Sequence, residues 1–238
     1  MERSTDVLEL LDEALDDPAA LDGNLRDLRR VNRWLGGVAL SAAAVAALAP
    51  GAIRLSLVDI GTGGADVPMA LLERAGRQDR GLSITALDNR EEIVAAALRV
   101  TPGLANTPGL TLETGDGRRL DFPDSSFDVA HCSLVLHHLE PDACVELLHE
   151  MGRVARLGLV INDLDRTRLN LAGAALLARI ATTNRYTRND GPLSVRRAYR
   201  VPEVVRLLRR AGLRPVRVFR GPFRHRYAIA AVADWPGA

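Results

Sequence analysis

The sequence predicts an α/β fold with one central, mostly parallel sheet and helices on both of its faces. The first observation is an apolar run at 55–60 that leads through the glycine turn Gly61-Thr62-Gly63-Gly64 into a helical stretch. The second is the unbroken alternation of apolar runs and amphipathic stretches that continues to residue 212. Such alternation along one chain builds a parallel sheet with right-handed crossovers.

The glycine turn is a candidate ligand site, because glycines permit close backbone approach and a helix begins directly after them. It departs from a dinucleotide fingerprint at Asp66, whose carboxylate would face a pyrophosphate. It also departs from a phosphate-binding P-loop, since the chain contains no lysine. Asp59, just before the glycines, favours a cationic ligand instead. The alternative is an ordinary strand–helix turn of a doubly wound fold.

Two motifs carry a resemblance. Asp59-x-Gly61-x-Gly63-x-Ala65 resembles motif I of class I S-adenosylmethionine (SAM)-dependent methyltransferases, with Ala65 in place of the commonest third glycine. The run D-F-P-D-x-S-F-D-V at 121–129, followed by L-H-H-L at 136–139, is similar to many small-molecule methyltransferases and is more specific. The resemblance covers residues 50–235. It implies a seven-stranded Rossmann-like sheet whose last strand is antiparallel, with SAM as the cofactor.

Helical patterns precede the first strand. Residues 4–17 are amphipathic, residues 21–35 form a second helix, and the uncharged run 35–53 is long enough to raise the question of a membrane span. That run is alanine-rich and ends at Pro50-Gly51, which favours a buried or capping helix. We interpret residues 1–50 as an N-terminal helical lid, with 1–35 folding over the active site, and residues 51–238 as the SAM-binding domain.

The remaining elements follow from apolar runs, helix starts and turn residues. Strands are predicted at 82–88, 110–114, 127–133, 158–161, 213–220 and 225–233, and helices at 67–76, 91–100, 141–155, 166–183 and 202–212. Residues 183–200 are predicted to be a long polar loop with a functional role.

Cofactor contacts are expected at the carboxyl ends of the first four strands. Asp88 ends the second strand, where it can hold a ribose diol or cap the next helix. The resemblance implies that Asp116, in Gly-Asp-Gly, faces the adenine amino group. The full set of expected cofactor contacts is Asp59, Gly61, Thr62, Gly63, Asp88, Asn89, Asp116, Gly117, Cys132, Ser133 and Arg33.

Methyl transfer is an in-line displacement by a nucleophile, and a phenol with a pKa of about 10 is helped by a base. His138, or else His137, is the candidate general base, since both follow the fourth strand; the alternative is that the pair shapes the cofactor pocket. No metal is expected, because adjacent histidines lack ligand spacing. Expected acceptor contacts are Asn162, Asp163, Arg196, Tyr199 and Asn32, although Asn162 and Asp163 can instead cap a helix.

A narrower resemblance concerns the acceptor. Residues 24–33 and 190–199 look like bacterial methyltransferases encoded beside type III polyketide synthases, which implies O-methylation of a phenolic or pyrone hydroxyl. The alternatives are C-methylation of a quinone-like ring, methylation of RNA through the arginine-rich segment 185–226, and a non-catalytic SAM-binding partner.

The composition bounds the remaining properties. A formal charge of +1 says nothing about partners. No nucleic-acid partner is expected, because the arginine-rich segment lacks interleaved aromatics for base stacking, and no membrane span is expected. The acidic start of the chain is unlike a signal peptide, and Cys132 and Cys144 lack redox or metal spacing, which favours a reduced, cytoplasmic environment. We expect a small-molecule acceptor as the partner, with a homodimer as a possible assembly.

Overall fold

A computed structural model of the protein describes residues 1–234, so the last four residues of the predicted domain 51–238 lie outside the described part. Its seven-stranded sheet has the order β3-β2-β1-β4-β5-β7-β6, and β7 alone runs antiparallel to its neighbours. This confirms the predicted fold class. The strands are β1 (Arg54–Ile60), β2 (Gly81–Asp88), β3 (Leu110–Thr114), β4 (Phe127–Ser133), β5 (Ala155–Leu164), β6 (Leu213–Arg220) and β7 (Arg226–Ala233).

Eight α-helices cover the two faces of the sheet within the described residues. They are α1 (Pro18–Trp34), α2 (Gly37–Leu48), α3 (Asp66–Gly76), α4 (Glu91–Val100), α5 (Pro141–Val154), α6 (Arg168–Ile180), α7 (Arg185–Arg197) and α8 (Val201–Arg210). One core cluster packs α5 and α8 on the sheet, and a second packs α2 and α3 on it. Both clusters meet at β1 and β4, whose carboxyl ends therefore sit at the centre of one sheet edge.

The prediction of helix over residues 4–17 was wrong except for the single 3-10 turn Leu10–Asp12. The backbone N–H groups of Leu10 and Leu11 donate to the carboxylate of Asp190, 2.9 and 3.1 Å away, instead of joining a helix ladder. This distant partner holds the segment in a largely extended path. An amphipathic pattern alone does not reveal such a competitor.

The prediction of a loop at 183–200 was also wrong, because α7 occupies most of it. The side chain of Asn184 caps the helix by accepting from the backbone N–H of Thr187, and Pro192 lies inside the helix. Tyr186 and Val195 are almost fully buried, so tertiary packing outweighs the cost of the proline. The segment therefore forms a rigid wall beside the lid.

The predicted helix at 21–35 is confirmed as α1, and Leu21 and Leu25 pack with Ala96 and Tyr186 in a small core of their own. No single helix in residues 1–234 is long and apolar enough to cross a membrane. The pair α1–α2 meets the length and composition requirement only when taken together, and it is bent by 61° at its break.

Candidate active site

The glycine turn after β1 presents one open and one crowded position. Gly61 has φ +68°, and a Cβ there would meet Val135 Cγ2 at 2.4 Å. Gly63 has φ +54°, but a Cβ there would meet nothing within 4 Å. The hydroxyl oxygen of Thr62 is buried and has no hydrogen-bond partner among the described residues. Open space beside Gly63 and an unpaired Thr62 oxygen fit a ligand bound on this turn.

Asp88, at the end of β2, is joined to the same turn. Its Oδ2 accepts from the backbone N–H of Gly63 at 3.0 Å, and its Oδ1 accepts from the N–H of Arg90 at 3.2 Å. Burial raises the pKa of this carboxyl group despite the two donors. Both oxygens keep a lone pair for a diol, so the predicted ribose role is compatible with the geometry.

The carboxylate of Asp59 already has a partner within the protein, because its Oδ1 lies 2.5 Å from His131 Nδ1. The other nitrogen of His131, Nε2, lies 2.7 Å from Ser41 Oγ on helix α2. Asn162 Nδ2 donates to that same hydroxyl at 2.8 Å and to the backbone oxygen of Gly37 at 2.8 Å. The end of β1 is thus held through a buried polar chain that reaches β5.

Arg226, which is 1% exposed, completes this chain. It donates to Asn162 Oδ1 at 2.6 Å, to Asn32 Oδ1 at 2.6 Å and to Ser133 Oγ at 2.7 Å. Asn32 in turn donates to Asp66 at 3.0 Å. Burial lowers the pKa of Arg226 to about 10. Asn162 and Asn32 were predicted to contact the acceptor, but in the structure their side-chain amides form hydrogen bonds within this network.

Two histidines and a glutamate converge at the ends of β4 and β5. His137 Nε2 lies 3.9 Å from Glu9 Oε1, and His138 Nε2 lies 3.9 Å from Glu9 Oε2. On the far side of the rings, His137 Nδ1 lies 2.7 Å from Asp163 Oδ1 and His138 Nδ1 lies 2.7 Å from Asp12 Oδ1. We call Glu9, His137 and His138 the Glu–His–His cluster.

Glu9 is 1% exposed, and its Oε1 has no hydrogen-bond partner in the described part of the chain. Its Oε2 accepts from Ser194 Oγ at 2.8 Å. Burial opposes a charge on His138, but the carboxylates of Asp12 and Glu9 prevail and raise its pKa to about 9. His138 is therefore protonated at neutral pH, which argues against the predicted preference for it as the general base.

Arg197 joins the N-terminal segment 1–13 to this cluster. It is 3% exposed and donates to the backbone oxygens of Val7, His137 and His138, at 2.8, 3.1 and 2.9 Å. The sequence instead singled out its neighbours. Arg196 is exposed, and the hydroxyl of Tyr199 donates to the Leu139 oxygen from within the core.

The remaining predicted cofactor residues differ in their surroundings. Asp116 pairs with Arg118 at 2.9 Å, and Gly117 packs so closely on Ile60 that a Cβ would meet it at 2.3 Å. Cys132 points into the core, where it is 1% exposed. Asn89 and Arg33 are exposed.

Sequence reasoning missed Glu9, Arg197 and Arg226. Glu9 is one of nine acids in the first 30 residues, and both arginines lie in the segment 185–226 with eleven others. Nothing in the local sequence distinguishes them. Only their burial against groups far along the chain does so.

Residues 57–158 match a family model described as a methyltransferase domain. No curated protein matches the chain. Solved structures share the fold: a SAM-dependent methyltransferase from Aquifex aeolicus has 20% identity and a TM-score of 0.62 over 90% of this chain and 97% of that one. Human N-acetylserotonin methyltransferase, solved with SAM, has 17% identity and a TM-score of 0.63 over 92% of this chain. The mitomycin 7-O-methyltransferase MmcR has 23% identity and a TM-score of 0.61 over 89%.

Length separates these three structures. The chain covers nearly all of the Aquifex aeolicus protein, but it spans only 57% of the human enzyme and 58% of MmcR. The shared part is the sheet with its surrounding helices, so the likeness concerns the fold.

Proposed function

We propose that this chain, a methyltransferase with SAM as its cofactor, methylates a hydroxyl of a small phenolic or polyketide-type acceptor. The observation that carries the proposal is the Glu–His–His cluster, which sets buried polar groups at the carboxyl edge of the sheet beside the glycine turn. A hydroxyl acceptor must lose its proton when it is methylated, and buried polar groups beside it can assist that loss. MmcR, named as an O-methyltransferase, has the same fold.

The bound cofactor supplies a methyl group on a sulfonium, whose departure leaves a neutral thioether. Asp88, Thr62 and the backbone of Gly63 would hold it, because they form the open side of the turn and retain unused hydrogen-bonding capacity. Asp59 adds negative charge beneath the turn, although His131 shares that carboxylate. A negative charge near the sulfonium and the ammonium group of SAM is electrostatically favourable.

The hydroxyl would lie over the Glu–His–His cluster. A phenol with a pKa of about 10 is largely protonated at neutral pH, so the site must lower that pKa or take the proton. His138, which carries a proton itself, is poorly suited to do so. We assign the task to the cluster as a unit, held in place by Asp163 and Asp12.

The lid would exclude water during transfer. Arg197 binds it to the loop after β4, and Arg90 binds it to the loop after β2 by donating to the oxygens of Leu11 and Glu13 at 3.0 and 2.7 Å. These two arginines flank the glycine turn and the cluster. Closing a site in this way strengthens every electrostatic interaction inside it.

The scarcity of exposed aromatic rings supports a small-molecule acceptor over RNA. Most arginines of segment 185–226 are exposed, although Arg197 and Arg226 are buried, but the side chains of Tyr186 and Tyr199 in that segment are buried too. Arg166 and Arg153, outside that segment, are likewise occupied by internal partners. An RNA-binding surface needs exposed cations interleaved with aromatic rings for base stacking.

The test is methylation of a panel of phenols and pyrones by the full chain, each paired with its O-blocked ether. Transfer to the free hydroxyl and none to the ether, with the new methyl carbon bonded to oxygen by NMR, is the expected result. A new carbon–methyl bond would replace the proposal with C-methylation. Methylation of RNA alone would replace it with the nucleic-acid alternative.

A further inference from the structure

The unpaired oxygen of Glu9 has an unusual environment. It is buried, without a hydrogen-bond partner, and it faces His137 Nε2 at 3.9 Å. One oxygen of Glu9 and one ring nitrogen of each histidine all lie within 4.8 Å of one another. A buried carboxylate oxygen without a partner costs free energy, and its persistence needs an explanation.

Arg197 does not provide that partner. Its Nε lies 3.8 Å from Glu9 Oε1, but the guanidinium donates to three backbone oxygens instead. A water molecule would serve only if it found several polar groups. The groups that face the space are one carboxylate oxygen and two imidazole nitrogens, which are the donor atoms of metal sites.

The groups behind the two rings match the outer shell of a metal site. Metal-bound histidines usually donate their second nitrogen to a carboxylate, which fixes the tautomer and turns the other nitrogen toward the ion. Here Asp163 and Asp12 each lie 2.7 Å from an Nδ1 atom, which leaves both Nε2 atoms directed at Glu9. Ser194 fixes the second oxygen of Glu9.

We propose that Glu9, His137 and His138 bind a divalent transition-metal ion, with zinc as the best match. On binding, the ion would displace the proton that His138 carries in its absence. Two imidazoles and one carboxylate form a known catalytic zinc set that leaves the fourth position open. Charge supports a divalent cation, because three carboxylates, those of Glu9, Asp12 and Asp163, surround the two rings, while two buried guanidiniums act on them: Arg197 on Glu9 and Asp12, and Arg226 on Asp163. The absence of a sequence spacing is explained by Glu9, which lies on the lid, far along the chain from the histidines.

The role we assign to the ion rests on the proposed function. The acceptor hydroxyl would take the open position, where a bound cation lowers its pKa and its proton is released to solvent. The resulting oxygen anion forms the bond to the methyl carbon while the carbon–sulfur bond breaks, and its electron pair stays on sulfur. The lid would then supply both a wall and a ligand.

The experiment uses the full chain without an affinity tag, stripped with a chelator and titrated with Zn²⁺ against a chromophoric competitor. One ion per chain is expected. Glu9→Gln, which keeps the shape but removes the charge, should weaken zinc binding more than the outer-shell change Asp163→Asn, for which about 10–100-fold is typical. The control His225→Gln changes a half-buried histidine outside the cluster, bonded to the Leu35 oxygen, and should bind zinc as the wild type does.

If the wild-type chain binds no Zn²⁺ in the titration, or if wild type and Glu9→Gln bind it with equal affinity, the inference is overturned. SAM affinity is measured in the same samples, so a misfolded variant is recognised. Zinc binding without methylation of any hydroxyl would remove the proposed function but leave the metal site. Hydroxyl methylation that is insensitive to zinc removal and to Glu9→Gln would remove the metal site and leave the proposed function.

Discussion

The backbone N–H of Gly63 donates to the Asp88 carboxylate across 3.0 Å, which joins the turn after β1 to the end of β2. The bond crosses the sheet edge where the two parallel strands lie side by side in register from Arg54 to Ile60. Asp88 therefore shapes the turn, and in the proposed function it would also face the ligand that the turn holds.

Replacing Asp88 with Ala should weaken SAM binding by about 1–3 kcal/mol, the range for hydrogen bonds to a charged group. Calorimetric titration of the folded variant measures this loss. Asp142→Ala is the matched control. Asp142 is exposed, lies in the first turn of α5 and pairs with Arg210 at the end of α8. Equal SAM affinity in both variants would contradict the ribose assignment.

Alanine at Gly63 and at Gly61 should have different effects. Both have positive φ, so each change strains the backbone by about 1–2 kcal/mol. A Cβ at Gly63 meets no protein atom, so Gly63→Ala should remain folded and lose SAM affinity. A Cβ at Gly61 strikes Val135, so Gly61→Ala should lose more thermal stability. Thermal unfolding with and without SAM distinguishes the two, and the reverse order would be inconsistent with the described turn.

Removing Arg226 should destabilise the fold. Arg226→Met leaves the acceptors on Asn32, Asn162 and Ser133 without their donor, at about 1–3 kcal/mol for each buried group left unsatisfied. Urea unfolding of Arg226→Met beside Arg217→Met, which removes an exposed arginine of β6, measures the difference. Equal stability of the two variants would mean that the buried network contributes nothing.

The thiols of Cys132 and Cys144 should remain protonated and unreactive toward thiol reagents in the native protein. Burial raises the pKa of Cys144 to about 12 and that of Cys132 well above its usual value. Unfolded thiols lose their protons near pH 8.5, so the native state holds more protons above that pH and the free energy of unfolding should fall as pH rises. A thiol reagent should label neither cysteine at pH 8 before denaturation.

The same linkage gives a quantitative check. Between pH 8 and 10, Cys144→Ala should lose about 1–2 kcal/mol less stability than the wild type, because one of the two linked groups is gone. Urea unfolding at both pH values measures it. Identical pH dependence would show that Cys144 ionises as freely in the native state as in the unfolded one.

Deleting residues 1–13 should leave the sheet folded, retain SAM binding and abolish turnover. The deletion removes Glu9 and Asp12 together with the backbone oxygens that Arg197 and Arg90 hold. It spares α1, whose Leu21, Leu25 and Asn32 are buried and needed for folding. Calorimetry and a methylation assay on the truncated chain test this, and undiminished turnover would reduce the lid to a structural element.

The sheet was predictable because its signals are local. Each strand is a short apolar run, and glycine turns or helix starts follow at once, so every predicted strand was confirmed with small shifts at its ends. The main extension is β5, which begins at Ala155, paired with Phe127 of β4, and ends at Leu164, paired with Arg226 of β7.

The candidate site was predictable only where its residues follow strands. Asp88 and Asp163 lie at the ends of β2 and β5, and His137 follows β4. The parallel sheet brings these three positions to one edge. Glu9, Arg197 and Arg226 take part through long-range contacts that no periodicity records. The loop prediction at 183–200 failed for a related reason: Gly191-Pro192 is a turn signal, but packing of Tyr186 and Val195 overrides it.

The N-terminal segment 1–13 contacts helix α7, which lies near the other end of the sequence. Ser4 donates its N–H to the backbone oxygen of Arg196, and Glu9 receives the hydroxyl of Ser194, a separation of 185 residues. Closing so large a loop is a late and entropically costly step in folding. During synthesis, residues 1–13 leave the ribosome long before their partners exist. The proposed site therefore stays incomplete until synthesis has passed Arg197, and the proposed methyl transfer would begin only after that point.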